Sequence, residues 1–123
     1  MSDSPTPDCV FCAIIHGYVP KPARYSHRWL GAVAFEPLNP VTPGHMLVVP
    51  RVHVEDFTEW PEMTGMVMQC AAEAAADMGP VNLITSKGRE ATQSVFHLHV
   101  HLIPRAKDDG LALPWYSGKG GHR

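Results

Sequence analysis

Three histidines alternate with apolar residues in the segment HLHVHLIPR, residues 97–105. Successive side chains of an extended chain leave on opposite faces, so the alternation predicts a strand with His97, His99 and His101 on one face. The apolar residues between them are expected to face the core, because each buried imidazole would leave two ring nitrogens to satisfy. The strand is expected to end just before Pro104, which cannot donate to a sheet ladder.

Such a row of imidazoles permits three interpretations. It could be a solvated strand face without chemistry. It could bind metal, since rings at alternate positions, roughly 6.6 Å apart, can converge on zinc or iron when another ligand joins them. Alternatively, the ring nitrogens act as nucleophile and acid, which suits histidine because its unperturbed pKa lies near neutrality.

Composition and charge limit the partners. The chain has 123 residues, a formal net charge of −2 and scattered basic residues, which argues against duplex nucleic acid and against an electrostatic membrane anchor. No apolar run is long enough to span a membrane, and the polar start MSDSPTPD lacks the pattern of a signal peptide. Three cysteines, an odd number, do not favour a disulfide framework, so we expect a cytoplasmic protein.

The domain organisation follows from length and from the helix signals. We expect residues 1–8 to form a flexible tail and residues 9–123 to form a single domain whose C-terminal part is irregular from about residue 106. A short helix is predicted in CVFCAIIHG, which begins at residue 9. One long helix is predicted from Pro61 to about Met78, because proline suits the first turn of a helix.

The remaining apolar runs predict strands, and the fold class is therefore α+β. The segment YVPKPARYSHR, residues 18–28, is broken by proline and leads into the first of these strands. We expect an antiparallel sheet of about five strands, with strand patterns in WLGAVAFE, HMLVVP, VNLITS and VFHLHVHLIP, residues 29–36, 45–50, 81–86 and 95–104.

Two segments together resemble the histidine triad (HIT) family, specifically its Hint-like branch of small nucleotidyl hydrolases and transferases. They are QSVFHLHVHLIPR, residues 93–105, and NPVTPGHMLVVP, residues 39–50. The similarity runs from about Cys9 to Arg105. The resemblance implies a HIT-like fold, a homodimer, and cleavage at the α-phosphate of a nucleotide conjugate such as a phosphoramidate or a dinucleoside polyphosphate.

The resemblance also assigns the four histidines. It implies that His99 attacks the α-phosphorus and forms a covalent nucleotidyl-histidine intermediate. His101 is then placed to protonate the leaving group, while His97 and His45 support the catalytic pair. Elementary chemistry agrees, because a neutral imidazole is a competent nucleophile when an acceptor such as a backbone carbonyl holds its other nitrogen.

By the same resemblance, substrate contacts are expected from two loops, through Gln93, Ser94, Ser86 and Asn39. The chain departs from the family pattern near these residues. Pro37 stands where the family commonly has an aspartate that holds the ribose, Ser86 where it usually has asparagine or glutamine, and Thr92 where it usually has glycine. The preference for base and ribose is therefore left open.

Cys9 and Cys12, in CVFC, have the spacing of a zinc-binding pair. A reduced structural pair and a redox motif are the alternatives. The resemblance supplies two further ligands, His53 and His97, and a set of two cysteines and two histidines would leave no open position for catalysis. We therefore expect structural zinc and, since no cluster of carboxylates is present, no catalytic metal.

Two other functions stay open for this sequence. One is a metal-dependent hydrolase that uses the triad itself as ligands, which a chelator would inactivate. The other is a nucleotide-binding or scaffold module with weak or no catalysis, which the departures at Pro37 and Ser86 make credible.

Overall fold

The computed structural model describes residues 8–17 and 25–120. In chain order, the elements are α1 (Val10–Ile15), β1 (Tyr25–Arg28), β2 (Ala32–Phe35), β3 (Met46–Pro50), α2 (Pro61–Ala75), β4 (Val81–Ile84), a 3-10 turn (Arg89–Ala91) and β5 (Val100–Pro104). The expected N-terminal tail, except for Asp8, lies outside the described residues.

The strands form one antiparallel sheet in the order β1-β2-β3-β5-β4. In the described part of the chain this confirms the predicted α+β fold with a five-stranded sheet and two helices. On β5, His101 pairs with Leu47 of β3 on one side and with Ile84 of β4 on the other. His101 is therefore bounded by paired strands on both sides.

Each face of the sheet has its own core. Helix α2 buries its apolar residues, including Val67 and Ala71, against alternate strand residues that include Val48, Val100 and Leu102. The opposite face carries α1 and a smaller cluster, with these members: Cys9, Phe11, Cys12, Val33, Phe35, Leu47 and Val49. The apolar residues of the triad segment thus lie in the α2 core, as predicted.

Both helices start where the sequence predicts. In α1 the thiol of Cys9 caps the helix by accepting the Cys12 amide, and Gly17 follows the helix with a φ of 74° that glycine adopts freely. Helix α2 begins at Pro61 but ends at Ala75, so the predicted end at Met78 is wrong. The last residues form tighter turns, in which the Met78 amide donates to the carbonyl of Ala75 at 3.0 Å.

Two strand predictions need correction. Strand β1 lies in the proline-broken segment, where the polar sequence YSHR gives no apolar alternation, and it forms by pairing with β2. The strand of the triad begins at Val100, so His97 and His99 precede it. The β4–β5 ladder ends beside His101, and the Leu98 amide donates instead to the carbonyl of Val54 at 2.7 Å.

The placement of His97 is the other correction. Its side chain is fully buried, at 0% exposure, instead of lying on an open strand face. Burial is tolerated because Nε2 donates to the carbonyl of Pro50 at 2.9 Å, while Nδ1 lies near the thiols of Cys9 and Cys12.

After β5 the chain from residue 106 to residue 120 is irregular and is anchored by Arg105. The guanidinium donates to both carboxylate oxygens of Asp109, to Asn82 at 2.6 Å, and to the carbonyl of Leu111. Trp115, beyond this anchor, is 59% exposed. Neither helix of the described residues has the length and apolar character needed to cross a membrane.

Candidate active site and metal cluster

His99 has a defined tautomer, because one of its ring nitrogens faces a carbonyl. Nδ1 lies 2.8 Å from the carbonyl oxygen of His97. A carbonyl can only accept, so Nδ1 carries the proton and Nε2 carries the free lone pair. This is the state that a nucleophilic imidazole requires.

His45 and His101 form a second pair with a fixed direction of donation. Nδ1 of His45 accepts the backbone N–H of Val41 at 3.1 Å, so its proton lies on Nε2. Nε2 of His45 is 3.0 Å from Nδ1 of His101, which must accept in turn. The proton of His101 is therefore on Nε2, where it can be donated.

Burial keeps these rings neutral. Desolvation lowers the pKa of His101 to about 4, with smaller contributions from the charges of His99 and His45. Burial also lowers the pKa of His45 and of His99 below the usual histidine value. At neutral pH the site accordingly contains one nucleophilic nitrogen and one N–H donor, on neighbouring rings whose centroids are 5.2 Å apart.

A cavity of about 210 Å³ lies over these rings. This volume suits a phosphoryl group and the atoms attached to it rather than a whole dinucleotide. Its lining combines three of the histidines with loop and strand residues, namely Val41, His45, Ile84, Ser86, Thr92, Gln93, His99, His101 and Ile103.

The expected substrate-binding residues are only partly brought together. Ser86 and Gln93 line the cavity. Ser94 and Asn39 are exposed and are not among its lining residues. The expected role of all four in binding stays a prediction.

The side chain of Gln93 is engaged in holding its own loop. Its Oε1 accepts the Gly88 amide at 2.8 Å, and its Nε2 donates to the carbonyls of Glu55 at 2.7 Å and Val95 at 3.1 Å. Both amide hydrogens are used in these bonds. In this arrangement Gln93 orders the loop beside the cavity, which the sequence did not reveal.

Thr92 has a strained backbone at the cavity wall. Its φ of 75° and ψ of 19° place it in the left-handed region, which β-branched residues rarely adopt. The sequence signal was the threonine itself, at a position where the family usually has glycine.

The four predicted metal ligands lie together, and we call this set of side chains the metal cluster. The ligand atoms of Cys9, Cys12, His53 and His97 all lie within 4.8 Å of one another. Contacts within the set are 3.3 Å from Cys12 Sγ to His53 Nδ1, and 3.4 and 3.6 Å from His97 Nδ1 to the two thiols. Zinc bonds of about 2.0–2.3 Å in a tetrahedron give ligand separations of about 3.3–3.8 Å, so the donor set fits zinc.

His97 links the metal-ligand set to the ring of His99. The ring of His97 belongs to the metal cluster, while its carbonyl accepts the proton of His99. Phe11, between the two cysteines, packs edge-on to His99 and His97 with centroid distances of 5.0 and 5.9 Å. This contact of Phe11 was not predicted from the sequence, although its place inside CVFC was a signal.

Comparison with known proteins agrees with this fold. The HIT domain model matches residues 30–108. Over 116 residues the chain is 34% identical to the protein hit of Bacillus subtilis, covering 88% of this chain and 79% of that protein. A HIT family hydrolase from Clostridium thermocellum superposes with a TM-score of 0.74 at 29% identity, covering 82% of this chain and 93% of the other.

A further relative carries a more specific name. The chain is 32% identical over 111 residues to an adenylylsulfatase of Arabidopsis thaliana, covering 85% of this chain and 55% of that protein. The fold is therefore one that HIT family hydrolases share. The chain belongs to the histidine triad family.

Proposed function

We propose that this protein is a nucleotidyl hydrolase or transferase of the Hint-like branch that works through a covalent nucleotidyl-histidine at His99. The observation that carries the proposal is the pair of opposite tautomers at one cavity. Nε2 of His99 has a free lone pair because Nδ1 donates to a carbonyl, and Nε2 of His101 has a proton because Nδ1 accepts.

In the first step the Nε2 lone pair of His99 forms a bond to the α-phosphorus while the bond from phosphorus to the leaving group breaks. The leaving group takes the bonding electrons and a proton from Nε2 of His101. The Nδ1–H of His99 stays bonded to the carbonyl of His97, which stabilises the positive charge that develops on the ring.

The proton for the leaving group comes from solvent through the His45–His101 pair. The pair is neutral before substrate binds, because burial lowers the pKa of both rings. A bound phosphate brings negative charge beside them, which favours uptake of one proton at Nδ1 of His45, where it replaces the bond from the Val41 amide. When Nε2 of His101 gives its proton to the leaving group, the shared proton moves from Nε2 of His45 to Nδ1 of His101, so both rings are neutral. The extra proton returns to solvent after the second step.

In the second step water attacks the phosphorus. Its proton goes to Nε2 of His101, the new P–O bond forms, and the N–P bond breaks so that its electrons return to Nε2 of His99. The products are a nucleoside monophosphate and the protonated leaving group. Another acceptor in place of water makes the same reaction a transfer.

The metal cluster has a structural role in this proposal. Cys9, Cys12, His53 and His97 would hold zinc with every coordination position filled by protein, and the ion would supply a cross-link between α1 and the triad segment. No step of the reaction uses it.

We also propose a single domain over residues 9–123, a homodimer and a cytoplasmic location. Leu83, on strand β4 at the end of the sheet order, is 44% exposed, which suits contact with a second copy. Cys9, Cys12 and Cys70 are all free thiols, as expected in a reducing compartment.

The test is trapping of the intermediate. Purified protein is mixed with a labelled adenosine phosphoramidate or dinucleoside polyphosphate and quenched, and protein-bound label is measured. Wild type is expected to form the adduct and to turn over, and His99→Gly to do neither. His27→Gly is the matched control, since His27 is an exposed histidine of β1. Absence of adduct and of turnover across the substrates would overturn the proposal.

A second candidate function is a nucleotide-binding module with little turnover. The observation that favours it is the engagement of both Gln93 amide hydrogens by backbone carbonyls, which leaves that side chain no hydrogen for phosphate. Nucleotide binding without adduct or products in the trapping experiment would support it. Loss of activity on chelation together with metal bound at His99 and His101 would instead support a metal-dependent hydrolase.

A further inference from the structure

Strand pairing does not hold the nucleophilic residue, because His99 lies outside β5. The β4–β5 ladder ends where Ile84 pairs with His101, and β5 itself starts at Val100. His99 is therefore held by individual hydrogen bonds rather than by the regular ladder.

Thr85, the residue directly after β4, makes one of these bonds. Its hydroxyl donates to the carbonyl oxygen of His99 at 2.7 Å. At the other end of the same residue, the ring of His99 donates to the carbonyl of His97 at 2.8 Å. One bond thus fixes the peptide of His99 and the other fixes its ring.

The two hydrogen bonds are coupled, because the peptide and the side chain that they hold are both attached to the Cα atom of His99. If the peptide of His99 rotates, the direction of its side chain changes, and the ring nitrogen no longer meets the carbonyl of His97. The ring then loses both its place in the cavity and the bond that selects its tautomer.

We propose that Thr85 is a positioning residue, whose hydroxyl continues the ladder beyond the end of β4 and keeps Nε2 of His99 directed at the bound phosphoryl group. The inference rests on the proposed function of His99 as the nucleophile. Thr85 touches no reacting atom and acts through His99 alone.

The variant Thr85→Val keeps the shape of the side chain and removes the hydroxyl. Because misplacement of a reacting atom by about 1 Å can cost about 100-fold in rate, single-turnover adduct formation is expected to fall by about 10- to 100-fold. The dissociation constant of AMP is expected to change little, since the phosphate-binding groups stay in place. Thr85→Ser keeps a hydroxyl and is expected to restore most of the rate.

Thr64→Val is the matched control for removing such a hydroxyl. Thr64 lies in the first turn of α2 and also donates to a backbone carbonyl, that of Phe57, at 2.7 Å. It is not among the residues that line the cavity. This variant is expected to form the adduct at the wild-type rate, even if it loses as much thermal stability as Thr85→Val.

A second measurement does not need turnover. Nitrogen NMR of the His99 ring is expected to show the Nδ1–H tautomer in wild type and a mixture of tautomers in Thr85→Val. If wild type forms no adduct but the tautomer shifts in this way, the proposed function fails and the positioning role stands. A wild-type rate in Thr85→Val, an unchanged His99 tautomer in that variant, or failure of serine to restore the rate would each overturn the inference.

Discussion

His97 shows how one residue can serve two structures. Its ring is buried among the cysteines of the metal cluster, and its backbone carbonyl orients the ring of His99. The two roles use different atoms, so neither disturbs the other. His97, the first histidine of the triad, therefore orients the ring of His99, while His99 and His101 line the cavity.

The strained backbone of Thr92 predicts a stabilising substitution. A left-handed conformation costs a non-glycine residue about 1–3 kcal/mol, and replacement by glycine removes this cost. Glycine also makes the unfolded chain more flexible, which lowers the free energy of unfolding by about 0.4–1 kcal/mol. Thr92→Gly is therefore expected to raise the free energy of unfolding by about 1 kcal/mol, measured by urea denaturation. Thr92→Ala keeps the unfavourable conformation and should not gain. A glycine variant no more stable than the alanine variant would contradict the strain.

Single residues were the most predictable level for the chemistry. The three alternating histidines and the two cysteines could be identified from their spacing, whereas His45 was identified only through the resemblance to the family. Thr85 could not be identified, since a threonine after a strand gives no sign that its hydroxyl will reach a carbonyl fourteen residues later in the chain.

At the scale of elements, α1 depends on what holds it. It has six residues, and helices of this length are not stable by themselves in water. Two of its contacts to the rest of the molecule are through Cys9 at its cap and Cys12 within it, both in the cluster. Metal binding is therefore expected to fix α1, and Phe11 with it, against the triad.

Cys9→Ser tests this dependence. The variant is expected to lose the bound zinc, measured as metal per chain, and to lose protection of the α1 amides in hydrogen exchange. Cys70→Ser is the matched control, because Cys70 is a buried free cysteine of α2 outside the cluster. Zinc retained in Cys9→Ser, or α1 amides equally protected with and without zinc, would show that the cluster does not anchor this helix.

Elements with an apolar pattern were predictable and those formed by pairing were not. Helix α2 and strands β2, β3 and β4 follow the apolar runs of the sequence. Strand β1 has a polar sequence and exists because β2 offers it a partner. The late start of β5 was not predictable either. The alternation continues through residues 97–99, but β4 ends beside His101 and the pairing with β3 does not extend beyond Val100.

At the scale of the whole molecule, the buried histidines couple folding to pH. The pKa of His101 is about 4 in the folded protein and has a reference value of 6.5, because burial disfavours the charged ring. Between these values the unfolded chain binds more protons than the folded one. His101 thus lowers stability as the pH falls from 6.5 towards 4, and has no such effect above 6.5.

Urea denaturation at several pH values tests this coupling. Wild type is expected to lose stability between pH 6.5 and 4, and His101→Gln, which cannot titrate, is expected to lose less over the same window. His45 and His99 face the same ring, so part of the loss should remain in the variant. Equal losses in wild type and variant would contradict the assignment.

The proposed reaction requires that Nε2 of His99 forms the bond to phosphorus. The most direct measurement is to quench the adduct, locate it by mass spectrometry, and identify the bonded nitrogen by phosphorus–nitrogen coupling in NMR. A single adduct on His99 through Nε2 is expected, because Nδ1 is bonded to the carbonyl of His97. An adduct on Nδ1, or on His45 or His101, would contradict it.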